Sequence, residues 1–390
     1  MLAATTVITD IEHVPLGRCA GRTLAQDLAA LRTQPPFNAS AMDGYAVRAQ
    51  DLAASKPLDV IGEAAAGHVF RGTVQAGQAV RIFTGAPVPA GADTVIIQEN
   101  VTGLGTYRIT PTATEPVGRH IRAAGLDFRV GDLLLKAGTV LDSRHLGLAA
   151  SMAYSELPAR RRPRVAIVST GDELVLPQDV PMEGQIVSSN AVALSALVEA
   201  VGGMATDLGI VRDTKAATIE AIARASQGAD LVVTSGGASV GEHDFVQDAL
   251  KANGFGIEFW KVAIRPGKPL MFGVKGSVLC LGLPGNPVSS QICGLIFLVP
   301  LLRKLLGQPH PAQENREMAV LGRPLPANDL REEYMRATLA RDADGRLIAT
   351  PFASQDSSIQ RLMAAADALM IRPAHAPASP AGTPCEIIRL

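Results

Sequence analysis

The spacing of apolar positions changes along the chain. Before about residue 160 it is short and strand-like, in Ala79-Val80-Arg81-Ile82-Phe83, Thr94-Val95-Ile96-Ile97 and Leu133-Leu134-Leu135 ahead of Gly138. These runs sit among frequent glycines and prolines and predict a β-rich, irregular half, with a starting helix around Ile11 to Leu31. Beyond it, strands and helices alternate. Val165-Ala166-Ile167-Val168 predicts a strand, and Leu194, Leu197, Val198 and Val201 keep the i, i+3, i+4, i+7 spacing of a helix from about Ala191 to Val201 that stops at Gly202. The series continues with a strand near Leu208 to Val211, a helix Ala216 to Ala225, a strand Leu231 to Val233, a helix ending at Gly254, a strand Val278 to Leu283 and a long helix ending near Gly307. That alternation implies a doubly wound, mostly parallel sheet with ligands at the carboxyl ends of its strands. After Gly307-Gln308-Pro309-His310-Pro311, an Asp344-Gly345 turn between β-like runs and a terminal Glu386-Ile387-Ile388 run predict a small β domain. The basic run Arg160-Arg161-Arg162-Pro163-Arg164, at the entry to the alternating segment, reads as a solvated linker.

A chain of 390 residues is long enough for two to four domains. Its net charge of -1 gives no general attraction to nucleic acid or an anionic membrane, so a basic site must be local. Cys19, Cys280, Cys293 and Cys385 form no C-x-x-C pair and read as reduced, buried thiols of a cytoplasmic protein. Asp10 and Glu12 stand where a signal peptide needs an apolar core. The most apolar stretch, Ile292 to Leu302, is shorter than the roughly 20 residues of a membrane span and reads as a buried helix.

Candidate chemistry concentrates at the predicted strand ends. Ser235-Gly236-Gly237 and Leu283-Pro284-Gly285-Asn286-Pro287-Val288-Ser289 each join a strand to a helix, where free backbone N–H groups can face an anion. Lys261, Arg265 and Lys268 lie between them, which points to a phosphate- or oxyanion-bearing ligand. Ser169-Thr170-Gly171-Asp172-Glu173-Leu174 places two acids at another strand end, where a cation or an exchangeable proton would explain them, and Asp213 and Asp244 follow similar elements. Asp213 and Asp244 could equally cap helices. The acids and bases together resemble a site where Mg²⁺ neutralises phosphate oxygens while Lys and Arg hold the remainder. In the first half, Ser40-Ala41-Met42-Asp43-Gly44-Tyr45-Ala46 reads as a turn, Thr84-Gly85-Ala86 adds a hydroxyl, and Gly118-Arg119-His120-Ile121-Arg122 adds cations. His120 and His243 could act as bases or simply pack.

These segments, with Pro266-Gly267-Lys268-Pro269, resemble in order the motifs of the MoeA family of molybdopterin molybdenumtransferases, related to the E domain of gephyrin. The resemblance runs from about residue 7 to the C-terminus. It implies a multidomain α/β protein in four regions: an elongated N-terminal domain (1–34 and 118–160), a β-rich inserted domain (35–117), a MogA-like doubly wound α/β domain that binds molybdopterin (161–307) and a C-terminal β domain (312–390). It further implies a cytoplasmic homodimer whose site joins the α/β domain of one subunit to the N-terminal β-rich part of the other. The implied reaction inserts molybdate into adenylylated molybdopterin with release of AMP in a Mg²⁺-dependent step, with transient contact to other molybdenum cofactor enzymes. Carried over by motif, Asp43, Thr84, Glu173, Asp213 and Asp244 are the expected catalytic residues. Glu173, Asp213, Asp244 and Asp127 are the expected metal ligands. Arg122, Ser235, Gly236, Gly237, Lys261, Arg265, Lys268, Pro284, Gly285, Asn286 and Ser289 are expected to bind substrate. The chain departs from the family at Gly125-Leu126-Asp127, where Gly-Glu-Asp is common, and at Asp213-Thr214, where Asp-Asp is common. A binding module without turnover, a scaffold like the gephyrin relative and a molybdopterin adenylylating enzyme are the competing readings. The retained acids oppose the first, the lack of an appended domain the second, and the N- and C-terminal regions the third.

Overall fold

The computed structural model describes residues 1–53, 55–237, 245–312 and 315–390. The expected starting helix is replaced by strand β1 (Ile11–Pro15), a 3-10 turn at Leu16–Arg18 and a two-residue strand at Leu28–Ala29. Leu16, Leu24 and Leu28 mimic a helical face, but Gly17 and Gly21 interrupt it, and Gly21 turns the chain at φ +74°. Cys19, Leu24 and Leu28 instead reach a core shared with Leu141 and Leu157. A sheet of six strands follows, made of β2 (Gly44–Val47), β3 (Leu58–Ala64), β4 (Gln78–Ile82), β5 (Thr94–Ile97), β6 (Val101–Thr102) and β7 (Arg108–Pro111), in the order β5-β2-β4-β3-β7-β6. Helix α1 (Ser143–Ser151) starts at a capping box of Asp142 and His145, and β8 (Glu156–Arg160) returns antiparallel to β1.

The central sheet is built from β9 (Arg164–Thr170), β10 (Met204–Val211), β11 (Leu231–Ser235), β12 (Gly256–Trp260), β14 (Met271–Lys275) and β15 (Val278–Leu283). Its order is β10-β9-β11-β15-β14-β12. The first four strands run parallel, as the alternation predicts, whereas at one edge β14 pairs antiparallel with β15 and β12 antiparallel with β14. Helices α2 (Asn190–Ala200), α3 (Lys215–Ala225), α4 (Val246–Ala252) and α5 (Pro287–Cys293) cover its faces over two apolar cores. Continuous runs such as Val165 to Val168 and Leu231 to Val233 are apolar because both faces of a parallel sheet are covered. Helix α5 continues through a π-helical segment at Gly294–Leu298 into α6 (Val299–Leu305). This run, Pro287–Leu305, spans 19 residues and is apolar enough to cross a membrane by composition. It is longer than its apolar stretch suggested, and Leu298, Leu301 and Leu302 are fully buried in the protein core.

The strand β13 (Ile264–Arg265) leaves the central hairpin and joins the C-terminal sheet, with β16 (Arg316–Leu321), β17 (Glu332–Arg341), β18 (Leu347–Pro351), β19 (Ala368–Arg372) and β20 (Pro384–Arg389). The predicted Asp344-Gly345 turn joins β17 to β18. The 160–164 run is a structural staple rather than a solvated linker. The Arg161 guanidinium grips both oxygens of Asp230 at 2.9 Å and reaches Asp10 at 2.8 Å. Arg162 donates to the Gly202 and Gly203 carbonyls, and Arg160 to that of Ile8. All four cysteines are free; burial pushes the Cys280 and Cys293 thiols up to about 12.

Candidate active site

The carboxyl ends of β9, β11 and β15 open into a cleft of about 1060 Å³. Its lining includes Glu173, Asp213, Ser235, Gly236, Gly237, Arg265, Lys268, Pro284, Gly285, Asn286 and Ser289, all expected from the sequence. Gly236 (φ +92°) and Gly237 (φ +61°) hold backbone that other residues rarely adopt. A Cβ on Gly236 would meet the Thr170 carbonyl at 2.6 Å, so the turn lies directly on the end of β9. Asn190, at the start of α2, ties two turns together: its Nδ2 donates to Ser235 Oγ (2.8 Å) and to the Gly285 carbonyl (2.7 Å). The side-chain oxygens of Ser169, Thr170 and Asn190 are buried without a partner among the described residues.

The acids divide in role. The Asp172 carboxylate accepts from the Asp213 backbone N–H (3.1 Å), holding the two strand ends together, while Glu173 and Asp213 line the cleft. Thr214 caps α3, its Oγ1 accepting from the Ala217 N–H (3.3 Å), so the cap is supplied by the residue after Asp213. Asp244 and His243 lie outside the described residues, as does the rest of the segment 238–244. Among the described residues no group of three or more His, Cys, Asp or Glu side chains gathers as a metal cage.

The C-terminal region supplies the wall that sequence reasoning missed, through Arg331, Gln355, Ser357, Ser358 and Gln360. Asn286 donates to Ser357 Oγ (3.0 Å), and the Gln360 amide donates to Ser189 Oγ (2.5 Å). The loop carrying them is shaped by buried Arg336, which donates to the carbonyls of Asp356 (2.9 Å) and Ile359 (3.0 Å). Burial lowers the pKa of this guanidinium, which carbonyls rather than a carboxylate receive. No local motif marks these residues, which, Arg331 apart, lie in and around the polar run Ser354-Gln355-Asp356-Ser357-Ser358.

Among the described residues, five expected ones do not line this cleft: Asp43, Thr84, Arg122, Asp127 and Lys261. Lys261 holds its ammonium 4.4 Å from the centre of the Trp260 ring, at φ +87°. Asp127 is exposed, its backbone N–H bonded to the Gln34 carbonyl, and Arg122 pairs with Ala39 beside the Asp43 turn. Asp43 and Thr84 do meet. Asp43 Oδ1 accepts from the Thr84 N–H (2.7 Å) and hydroxyl (2.8 Å), and these bonds hold its carboxyl below the usual carboxylate range. Arg81 adds positive charge nearby. Its guanidinium lies over the rings of Tyr45 (5.0 Å) and Phe83 (4.9 Å) and donates to Gln98 (2.7 Å).

Comparison with known families accounts for nearly the whole chain. Residues 1–153 match the MoeA N-terminal region (domain I and II), 166–304 a probable molybdopterin binding domain, and 318–390 the MoeA C-terminal region (domain IV). A relative from Mycobacterium tuberculosis, named molybdopterin molybdenumtransferase 2, is 35% identical over 385 residues, covering 96% of this chain and 94% of its own. This chain belongs to the MoeA family. Another relative, the molybdopterin molybdenumtransferase of Haemophilus influenzae, is 40% identical over 79% of this chain and 76% of its own. A crystal structure of a molybdopterin biosynthesis MoeA protein from Pyrococcus horikoshii superposes with a TM-score of 0.85 at 28% identity, covering 100% of this chain and 97% of that one. The MoeA likeness therefore extends through the staple, the cleft and the C-terminal wall alike.

Proposed function

We propose that this protein is a molybdopterin molybdenumtransferase, inserting molybdate into adenylylated molybdopterin with release of AMP in molybdenum cofactor biosynthesis. One observation carries the reading. A single large cleft at the ends of parallel strands combines two Gly-rich turns and the cations Lys268 and Arg331 with the carboxylates Glu173 and Asp213, in a chain of this family. Backbone N–H groups and cations suit the pyrophosphate of the adenylate and the molybdate oxyanion, and they act best where charge develops during transfer.

Glu173 and Asp213 fit a magnesium ion as carboxylate ligands, because magnesium is commonly held by one or two carboxylates together with substrate phosphates. Bound there it would offset charge on the pyrophosphate oxygens. Asp244 and Asp127 belong to the same expectation, the first outside the described residues and the second away from the cleft. We further place the enzyme in the cytoplasm as a homodimer, in which the Asp43–Thr84 turn of one subunit completes the cleft of the other. The separation of that turn from its own chain's cleft lining supports this arrangement, and with it we propose the four-region division at 1–34 with 118–160, 35–117, 161–307 and 312–390.

Glu173→Gln and Lys268→Ala test the assignment together. Lysine charge holds the anion in ground and transition states alike, whereas a metal-holding carboxylate acts most where charge develops. Lys268→Ala therefore weakens binding of adenylylated molybdopterin, and Glu173→Gln slows AMP release with binding kept. Normal binding by Lys268→Ala alongside poor binding by Glu173→Gln would refute it.

A further inference from the structure

Arg265 stands in a sequence that looks built for anion binding, yet the structure gives its guanidinium other work. It donates to Asn328 Oδ1 (3.1 Å) and Glu333 Oε2 (3.0 Å) and lies 3.6 Å from Asp329, all in the C-terminal region. The backbone repeats the connection. Ile264 and Arg265 pair in parallel with Glu332 and Glu333, and the Glu332 N–H donates to the Ala263 carbonyl (3.0 Å). On its other side the same turn is pressed against helix α5. A Cβ on Gly267 would lie 2.3 Å from Cys293 Sγ, so only glycine lets the turn approach so closely. Lys268 follows at the exposed tip of this clamped segment and lines the cleft. Among the described residues no carboxylate pairs with its ammonium.

We propose that Arg265 is a positioning residue, through which the C-terminal sheet fixes where Lys268 presents its charge to the anionic substrate. The physical reason is the cost of ordering a long side chain on binding. A lysine on a turn held from both sides loses less freedom than one on a loose turn. This rests on the reading of the cleft as the adenylylated molybdopterin site, and it gives the C-terminal region a part in binding that its distance in sequence conceals. Glu333 is the informative residue because it holds Arg265 and does not line the cleft.

The test is equilibrium binding of adenylylated molybdopterin to the full-length protein, read as the concentration at half-saturation for variants whose urea melts show them fully folded under the assay conditions. The variants are Lys268→Ala, Arg265→Gln, Arg265→Lys, Glu333→Gln and the double Arg265→Gln/Lys268→Ala. Positioning predicts that Arg265→Gln and Glu333→Gln each weaken binding by about three- to tenfold. It also predicts that Arg265→Lys recovers part of the loss and that the double variant binds no more weakly than Lys268→Ala alone. Direct contact of Arg265 with the ligand predicts the reverse: Glu333→Gln binds normally or more tightly, and the Arg265 and Lys268 losses add. That result would overturn the proposal while leaving the cleft assignment standing. Unchanged binding in Lys268→Ala would overturn the positioning role and, together with poor binding in Glu173→Gln, the cleft assignment as well.

Discussion

Replacing Asn190 tests how the cleft is held open. The residue is 9% exposed, and its Nδ2 donates to Ser235 Oγ and to the Gly285 carbonyl, 2.8 and 2.7 Å away. The carbonyl can only accept, so the amide orientation is fixed. Asn190→Ala removes two neutral hydrogen bonds worth about 1 kcal/mol each, a loss of about 2 kcal/mol. Asn190→Asp keeps the shape and costs more, because a carboxylate oxygen then faces the Gly285 carbonyl and a charge is buried unpaired, about 3–5 kcal/mol at pH 8. The sign with pH follows. Burial raises the folded-state pKa of the new carboxyl above its unfolded value, so its protonated form, which can donate once, is the better tolerated. The Asn190→Asp penalty therefore shrinks below the unfolded pKa and reaches its full size as pH rises through the folded one. Trp260 is the only tryptophan and ends a strand of the central sheet, so its fluorescence in urea titrations at pH 5 and pH 8 reports the unfolding of this region. An Asn190→Asp protein more stable than Asn190→Ala at pH 8 would show that this site does not bury an unpaired charge.

Thr84→Val removes one of two bonds that hold the Asp43 carboxyl low. Its pKa should rise toward the ordinary value, moving the acid limb of the turnover–pH profile to higher pH; an unmoved limb would show that Asp43 does not set it. Gly267→Ala combines a clash with Cys293 and a φ of +113° that alanine rarely adopts. It should lower stability by about 1–3 kcal/mol in urea melts, and a neutral effect would contradict the close packing of this turn. Cys280 and Cys293, raised to about 12 by burial, should resist a thiol reagent at pH 8 until the protein is unfolded; rapid labelling of the native protein would refute this.

What could be read from the sequence was whatever local periodicity encodes. Continuous apolar runs marked the parallel strands β9, β11 and β15, and helix spacing marked α2 and α3 to within a residue or so of their observed ends. The same logic misread Ile11 to Leu31, where leucines at helical spacing serve a glycine-broken loop, and missed the antiparallel pair β12 and β14 inserted in sequence between the parallel strands β11 and β15. Partners far apart in the chain were invisible. The Arg160–Arg164 run looked solvated because Asp230, Gly202 and Ile8 are remote in sequence. For the same reason, the glycine turns and acids of the cleft could be named in advance, but its C-terminal wall could not. Arg331, Ser357 and Gln360 carry no motif and reach the cleft only through the docking of one sheet on another.

Molybdate transfer to an adenylylated pterin sets the stoichiometry of a single reaction. Purified protein supplied with adenylylated molybdopterin, Mg²⁺ and molybdate is followed for AMP and for molybdenum bound to the pterin. One AMP is released for each molybdenum inserted, with neither product formed when molybdate is withheld. AMP released at the same rate without molybdate, or pterin adenylate held indefinitely with molybdate present, would contradict it.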